Sequence, residues 1–377
     1  MKRVISLCCA VFLLLLNTVV YAEPAELQTS AKSVLLMEQS TKEVLYERNP
    51  DERLAIASVT KIMTMLLIME AIDEGKITME DMVPVSERAM SMGGSTMFLE
   101  AGEELSVYEM LKGIAVASAN DGCVAMAEYI SGSVENFVAQ MNKRAQDLGM
   151  TNTNFINTNG LDEPEHYSSA RDVALMSAEL LKYEKIFEFT TIWTDKMHDG
   201  KFDLANTNKL IRFYSGANGL KTGSTDEALC CLSATAKRDD LQLIAVVLGA
   251  PTSNDRFSDA RTLLDYGFAN YDVENFAKEN QEFVRVPVKK GCVESIGAVA
   301  KEDVSLLVKK GEKGKCEQEI FVPESITAPI LKGNSIGKII FSKDGETVAE
   351  IELIAGEDVT KISFGRYLVN IIKNIFG

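Results

Sequence analysis

The run from Val59 to Asp73 is rich in Met, Leu and Ile and apolar on nearly every face. A helix of that kind has no side to give to solvent, so other elements must pack all round it. Whatever opens such a helix is carried into the interior of the fold. Here Ala57-Ser58 opens it, and Lys61 follows one turn later. Residues i and i+3 are neighbours on a helix face, so hydroxyl and amine lie side by side. A serine hydroxyl is a poor nucleophile until a base takes its proton. A lysine in apolar surroundings gives up its own proton more readily, because burial disfavours charge. The helix N-terminus adds free N–H groups and partial positive charge near the attacking oxygen. Ser58 as a plain N-cap with Lys61 snorkelling outward is the alternative. A single lysine within the apolar stretch Ile56 to Met69 favours the chemical reading.

A second apolar helical pattern, Tyr108 to Ile130, is interrupted by Ser118-Ala119-Asn120-Asp121-Gly122. Polar groups inside such a run need partners. Ser118 can relay a proton between Lys61 and a leaving nitrogen. Asn120 can hold Lys61 and touch a substrate amide. A helix–helix loop capped by Asn120 or Asp121 is the alternative. Further on, Leu220 to Thr225 reads as a strand, followed by strands at Ala228 to Thr235 and Gln242 to Leu248 in an antiparallel meander. Gly223 would let a substrate backbone lie along this edge. Lys221 can present a cation, and Thr222, Ser224 and Thr225 can donate to a carboxylate. That suits a substrate with a free C-terminal carboxylate; a surface turn is the alternative. Lys32 to Met37 and Val44 to Glu47 suit a hairpin near the N-terminus. With only His166 and His198 in the chain, a Ser-His-Asp machine has little to work with. His166 is expected just before a helix capped by Ser168 or Ser169, and His198 in a polar turn.

The ends frame the chain. Met1-Lys2-Arg3, an apolar run from Val4 to Leu16 and the exit Val20-Tyr21-Ala22 make a secretory signal over residues 1–22. Its removal, with Lys2 and Arg3, takes the net charge from -16 to -18. That acidity argues against a nucleic-acid partner, whose backbone attracts a basic face. Cys123, Cys230, Cys231, Cys292 and Cys316 remain, an odd number without CxxC spacing, which suits scattered buried thiols. Cys292 and Cys316 can pair. No carboxylate or histidine set has metal-ligand spacing and no phosphate loop is present, so neither metal nor cofactor is expected.

Such a length exceeds one core, so two domains are expected. Before residue 270 helical patterns alternate with short apolar runs. After it come β-rich runs at Phe283 to Pro287, Val304 to Val308, Ile336 to Phe341 and Val348 to Ile354, separated by turns. The expected division is a signal at 1–22, a catalytic domain at 23–270, an all-β domain at 271–358 and a terminal helix at 359–377. In that last segment Phe364, Tyr367, Leu368, Ile371, Ile372, Ile375 and Phe376 form one helical stripe. Arg366, Lys373 and polar residues face the other way, and no acidic side chain follows Asp358. A basic amphipathic end on an acidic protein reads as a helix lying in an anionic membrane surface. A helix docked on the protein's own β domain is the alternative.

Together, Ser58-Val59-Thr60-Lys61, Ser118-Ala119-Asn120 and Lys221-Thr222-Gly223 match, in order, the motif set of penicillin-binding proteins and serine β-lactamases. The flanks Ile62-Met63-Thr64, Asn159-Gly160-Leu161, Asn206-Thr207-Asn208 and Gly219-Leu220 resemble the low-molecular-mass D-alanyl-D-alanine carboxypeptidases. The resemblance spans roughly residues 26 to 270 and, more weakly, the trailing β domain and terminal helix. It implies an α+β fold, with an antiparallel sheet and helices in the catalytic domain and a small all-β domain behind it. By the same resemblance Ser58 is the acylated nucleophile, Lys61 its general base, and Ser118 and Asn120 the second motif. Lys221 and Thr222 bind the carboxylate end beside Gly223, and the backbone N–H groups of Ser58 and Ser224 form the oxyanion hole. Ser224 stands where many relatives carry histidine. The implied substrate is a peptidoglycan stem ending in D-Ala-D-Ala, with β-lactams as covalent inhibitors. The implied location is the outer face of the cytoplasmic membrane. A non-enzymatic wall-binding or β-lactam-sensing module would carry a broken motif set, and here all three are intact.

Overall fold

The computed structural model describes residues 27–198, 200, 202–310, 317–343 and 345–363. The expected signal, the expected terminal helix beyond residue 363 and the Cys292–Cys316 pairing lie outside these residues in whole or in part.

A five-stranded antiparallel sheet organises the larger domain. Its strands are β1 (Ser33–Glu38), β2 (Val44–Arg48), β3 (Ala217–Thr225), β4 (Leu229–Arg238) and β5 (Leu241–Ala250), in the order β2-β1-β5-β4-β3. The expected hairpin and meander both form. They join because β1 pairs with β5, with Leu36 opposite Ala245. Every position of β5 is buried. Side chains alternate across a strand, so an unbroken apolar run means that both faces are covered. Ile244, Val246 and Leu248 enter the core around the central helix, while Leu243, Ala245 and Val247 enter a second core on the opposite face.

The central helix α1 (Lys61–Asp73) begins after a 3-10 turn at Ala57–Thr60. Ten of its thirteen residues are buried. The expected all-round packing is therefore present, with the tight turn placed just ahead of the α-helix. The second apolar pattern is not one helix with a polar loop. A helix at Val107–Lys112, opened by a Ser106–Glu109 capping box, widens into a π-helical turn at Gly113–Ala117. Ser118 is left-handed, and α2 (Asn120–Ser131) starts at once, so Asn120, Asp121 and Gly122 are helical rather than loop. Next come α3 (Val134–Asp147) and α4 (Ala170–Leu180). Ser169 caps α4, one of the two serines expected to do so. On the far face of the sheet lies α5 (Ser253–Asn270), capped by Thr252.

Behind α5 the chain becomes all-β, as its patterning implies. A six-stranded sheet contains β7 (Glu282–Lys289), β8 (Ser295–Ala300), β10 (Glu317–Phe321), β11 (Ile326–Thr327), β12 (Ser335–Lys343) and β13 (Glu346–Ala355). Its order is β10-β12-β13-β8-β7-β11, and β6 (Tyr271–Ala277) pairs separately with β9 (Val304–Lys309). Four of these strands carry the runs read from sequence. Two of the others escape that pattern for physical reasons: β8 sets Ile and Val among Gly and Ala and is buried on both faces, and β10 is exposed throughout, so neither shows an alternating apolar signal.

Asp259 of α5 ties the start of the chain to the sheet. Its carboxylate accepts from the Ser30 N–H at 2.9 Å, the Ala31 N–H at 2.9 Å and the Ser30 hydroxyl at 3.1 Å, and the residue is buried. Asp259→Ala strands those donors, and urea unfolding should show a loss of about 2 kcal/mol. An unchanged midpoint would mean that water replaces the carboxylate at no cost.

Candidate active site

The small turn before α1 places Ser58 and Lys61 as their spacing requires. Lys61 Nζ lies 2.8 Å from Ser58 Oγ and 2.6 Å from the carbonyl oxygen of Asn159. The lysine is completely buried, and burial lowers its pKa to about 8, with Asp121 opposing that shift. Solvation, not a neighbouring cation, is the main cause. Lys61 does not snorkel, so the capping alternative fails on this point.

The turn is gripped from two sides. Ala57 has φ +47, a conformation that costs a non-glycine residue energy and persists only where its surroundings impose it. A Cβ on Gly160 would come within 1.9 Å of the Ala57 carbonyl oxygen, and Gly160 itself has φ +85. A Cβ on Gly223 would lie 2.6 Å from the Ile56 carbonyl oxygen and 3.0 Å from Ser58 N. Beyond the room that Gly223 is expected to leave for a substrate backbone, its bare Cα admits the backbone of the turn that carries Ser58. The loop holding Gly160 is stitched to α1 at three points. Thr64 donates to the Thr158 carbonyl at 2.6 Å, Lys61 donates to Asn159, and Thr60 Oγ1 meets His166 Nε2 at 2.8 Å. His166 Nδ1 accepts from the Ile156 N–H at 3.0 Å, so the proton sits on Nε2 and Thr60 receives it. Burial lowers the pKa of His166 to about 4, keeping it neutral in this role.

The second motif sits where the π-helical turn ends. Ser118 is buried with φ +65, a strained setting of the sort that collects at functional sites. Asn120 Nδ2 donates to the Gly93 carbonyl at 2.7 Å, and its backbone N–H donates to Ser95 at 2.8 Å. Asn120 does not supply the bond expected for Lys61; the Asn159 carbonyl does. The Asn120 Oδ1 atom is buried without a hydrogen-bond partner among the described residues. Asp121, beside it, accepts from the N–H groups of Met97 and Leu99 and so fixes the loop that faces Asn120.

The third motif lies on β3, the edge strand of the sheet, so one row of its backbone groups is left for the cleft. Lys221 is buried rather than presented to solvent, and Nζ donates to the Thr222 carbonyl at 2.9 Å. Burial, and then the proximity of Lys61, pushes its pKa well below the ordinary lysine range. Thr222 donates to the Thr207 hydroxyl at 2.7 Å. Ser224 is exposed at the mouth. Thr225 donates to Asp162 at 2.7 Å, so its hydroxyl ties the strand to the opposite loop.

Arg256, for which the sequence suggested no role, reaches from α5 beneath the sheet. Its Nη1 donates to the Gly223 carbonyl at 3.0 Å. It fixes the peptide that carries the Ser224 N–H. Thr207, His166 and Asp121 are likewise supports that sequence reasoning left without a part. The only signals were the flanking Asn206-Thr207-Asn208 and the polar cluster after Ser118, since each support acts through a contact distant in sequence.

Comparison with known proteins places this geometry in a family. Residues 18–252 match the family described as D-alanyl-D-alanine carboxypeptidase, and residues 271–361 match the C-terminal domain of penicillin-binding protein 5. The D-alanyl-D-alanine carboxypeptidase DacF of Bacillus subtilis is 51% identical over 348 residues, covering 91% of this chain and 90% of that protein. Penicillin-binding protein 5 of Haemophilus influenzae superposes with a TM-score of 0.73 at 33% identity, over 90% of this chain and 100% of that one. The ampicillin-bound penicillin-binding protein D2 of Listeria monocytogenes matches with a TM-score of 0.59 at 31% identity, over 64% of this chain and 99% of that one. A serine in contact with a buried lysine at the head of a central helix, with a β domain behind it, thus has a family that shares both parts: this chain belongs to the low-molecular-mass penicillin-binding proteins that act as serine-type D-alanyl-D-alanine carboxypeptidases on peptidoglycan stem peptides.

Proposed function

We propose that Ser58 carries the acyl group and that Lys61 is its base. The observation that carries this reading is the 2.8 Å contact between a wholly buried amine and the Ser58 hydroxyl. With a pKa near 8, about a tenth of Lys61 is neutral at pH 7, against roughly one part in a few thousand for an ordinary lysine. Neutral Lys61 takes the Ser58 proton as Oγ attacks the carbonyl of the penultimate D-alanine. The Ser58 and Ser224 N–H groups receive the developing oxyanion. Ser118 gives its proton to the leaving nitrogen and is reprotonated by Lys61, the C–N bond breaks, and D-alanine departs with Lys61 neutral again. Water then attacks the ester and restores Ser58. The orphan Oδ1 of Asn120 supports its role as acceptor for a substrate amide N–H. Lys221, Thr222 and Ser224 hold the terminal carboxylate, whose charge would draw a proton onto Lys221. Gly223 and Thr225 shape this end through their contacts with the nucleophile turn and Asp162. The drug-bound Listeria relative supports acylation of Ser58 by β-lactams.

Peptide mapping after penicillin treatment should place the adduct on Ser58; an adduct on Ser118 or Ser224 would refute the assignment. Ser58→Ala should abolish D-alanine release with little change in thermal midpoint.

The acylation rate should rise with pH and level off above about 8, as Lys61 loses its proton. Lys61→Arg should slow acylation by about a thousandfold, because guanidinium cannot act as a base. A pH-independent wild-type rate, or normal acylation by the variant, would remove Lys61 from this role.

We also infer that the protein is exported, with a signal at 1–22, a catalytic domain at 23–270, a β domain at 271–358 and a terminal membrane-associating helix at 359–377. The end of α5 at Asn270 and the second family match from residue 271 support the central boundary. Among the described residues no helix is long and apolar enough to cross a membrane. The stripe from Phe364 to Phe376 supports attachment to the outer face of the cytoplasmic membrane, beside nascent wall. Deleting residues 365–377 should move the protein from the membrane fraction to the soluble one while D-alanine release persists. A truncated protein that still pellets with membrane would rule out this anchor.

A further inference from the structure

The end of the β domain from which the terminal segment departs has an unusual surface. Three segments run side by side there. Gly291 bridges Lys361, Cys292 N–H donates to the Thr360 carbonyl, and Ile330 bridges Val359. The Ile362 N–H donates to the Lys290 carbonyl, so the backbone is tied down to the last residues before 364. On this firmly held end Leu331 is 65% exposed and Val293 39% exposed. Lys332 follows Leu331 directly, and the exposed Lys289, Lys290 and Lys361 line the same end toward Ile362; none of the four forms an ion pair among the described residues. Glu294, Glu357 and Asp358 share this end, and the Asp358 carboxylate accepts the Lys332 N–H at 2.7 Å. In a chain with 55 acidic and 39 basic side chains, an end with more lysines than carboxylates stands out.

We propose that this face of the β domain is itself a membrane-contact surface: Leu331 and Val293 dip into the boundary of an anionic bilayer while the four lysines meet its headgroups. The proposal rests on the reading that residues 364–377 lie on the membrane. Ile330 bridges Val359, so Leu331 sits level with Asp358, and the stretch from there to the Ile362 anchor limits its retreat from the same plane to about 14 Å. Exposed apolar side chains on a lysine-bearing end complement an anionic interface in both hydrophobicity and charge. The second contact would give the enzyme a fixed height and tilt, where a single helix at the chain's end would leave it free to swing.

The substitutions that test this can be made without disturbing the fold. The bonds of Leu331 and Lys332 named here are backbone bonds, from Leu331 N–H to Asn334 Oδ1 and from Lys332 N–H to Asp358, and both side chains are exposed. The mature full-length protein is titrated with vesicles of phosphatidylglycerol and phosphatidylcholine in equal proportion. Leu331→Asp with Lys332→Glu should weaken binding by about tenfold. Trp193 is the chain's only tryptophan, so Leu331→Trp in a Trp193→Phe background reports on this position alone. Its emission should shift to the blue on vesicle binding and be quenched by brominated lipid. If the wild type binds vesicles but the double variant binds equally well and Trp at 331 stays unshifted, this inference falls and the terminal anchor stands. If the wild type ignores the vesicles, both fall. An emission already blue-shifted in buffer, and reversed by deleting residues 365–377, would put the chain's own end over the patch and overturn the proposal as well.

Discussion

Ile56, Ala57 and Ser58 form a turn that two other backbones touch directly, and the rest of the site hangs on that contact. Ala57 is held at φ +47, and only glycine at 160 and at 223 leaves room for the approach. From one side the Asn159-Gly160 loop brings the carbonyl that receives Lys61. From the other, the edge strand β3 brings the third motif, so Gly223 serves the protein's own backbone. Arg256 from below and His166 from behind secure the two gripping elements. Ser58 is thus held by rigid elements whose own positions are fixed by further bonds, which is what preorganised chemistry requires.

Within this frame the electrostatics follow from solvation. Lys61 and Lys221 are both stripped of water, and the proximity of Lys61 further disfavours a charge on Lys221. The buried Cys123 thiol beneath them is pushed up to about 12 by the same burial, so it remains protonated and offers no counter-charge. With no fully compensating anion the site leans toward losing protons. On the roles proposed for them, a substrate carboxylate would supply the missing charge at the Lys221 end and leave Lys61 free to accept a proton. One protein can therefore place two lysines near each other and assign them different tasks through the substrate's own asymmetry.

The β domain has a plainer architecture with a separate core, and the chain leaves it at an end whose surface differs from the acidic remainder of the protein. That division suits an enzyme whose substrate is a fixed polymer: the catalytic cleft is built on one sheet, and reach and orientation can be set by the other domain.

The sequence by itself determined the helix, the three motifs and the number of domains. These are local or periodic features: an apolar run without a polar face, residues one turn apart, and β-rich stretches punctuated by turns. It also singled out Ser58, Lys61, Asn120 and Lys221 as candidates, because a lysine alone in an apolar run, a polar break in a second one and an ordered set of motifs are visible without a structure. Only the tertiary structure decided what each of them touches. Asn159 rather than Asn120 receives Lys61, Thr222 meets Thr207, Thr225 meets Asp162, and Arg256 reaches Gly223. Those partners come from segments distant in sequence. Their meeting is set by how strands and loops close over the buried helix, a matter of volume and backbone hydrogen bonding that no local pattern encodes.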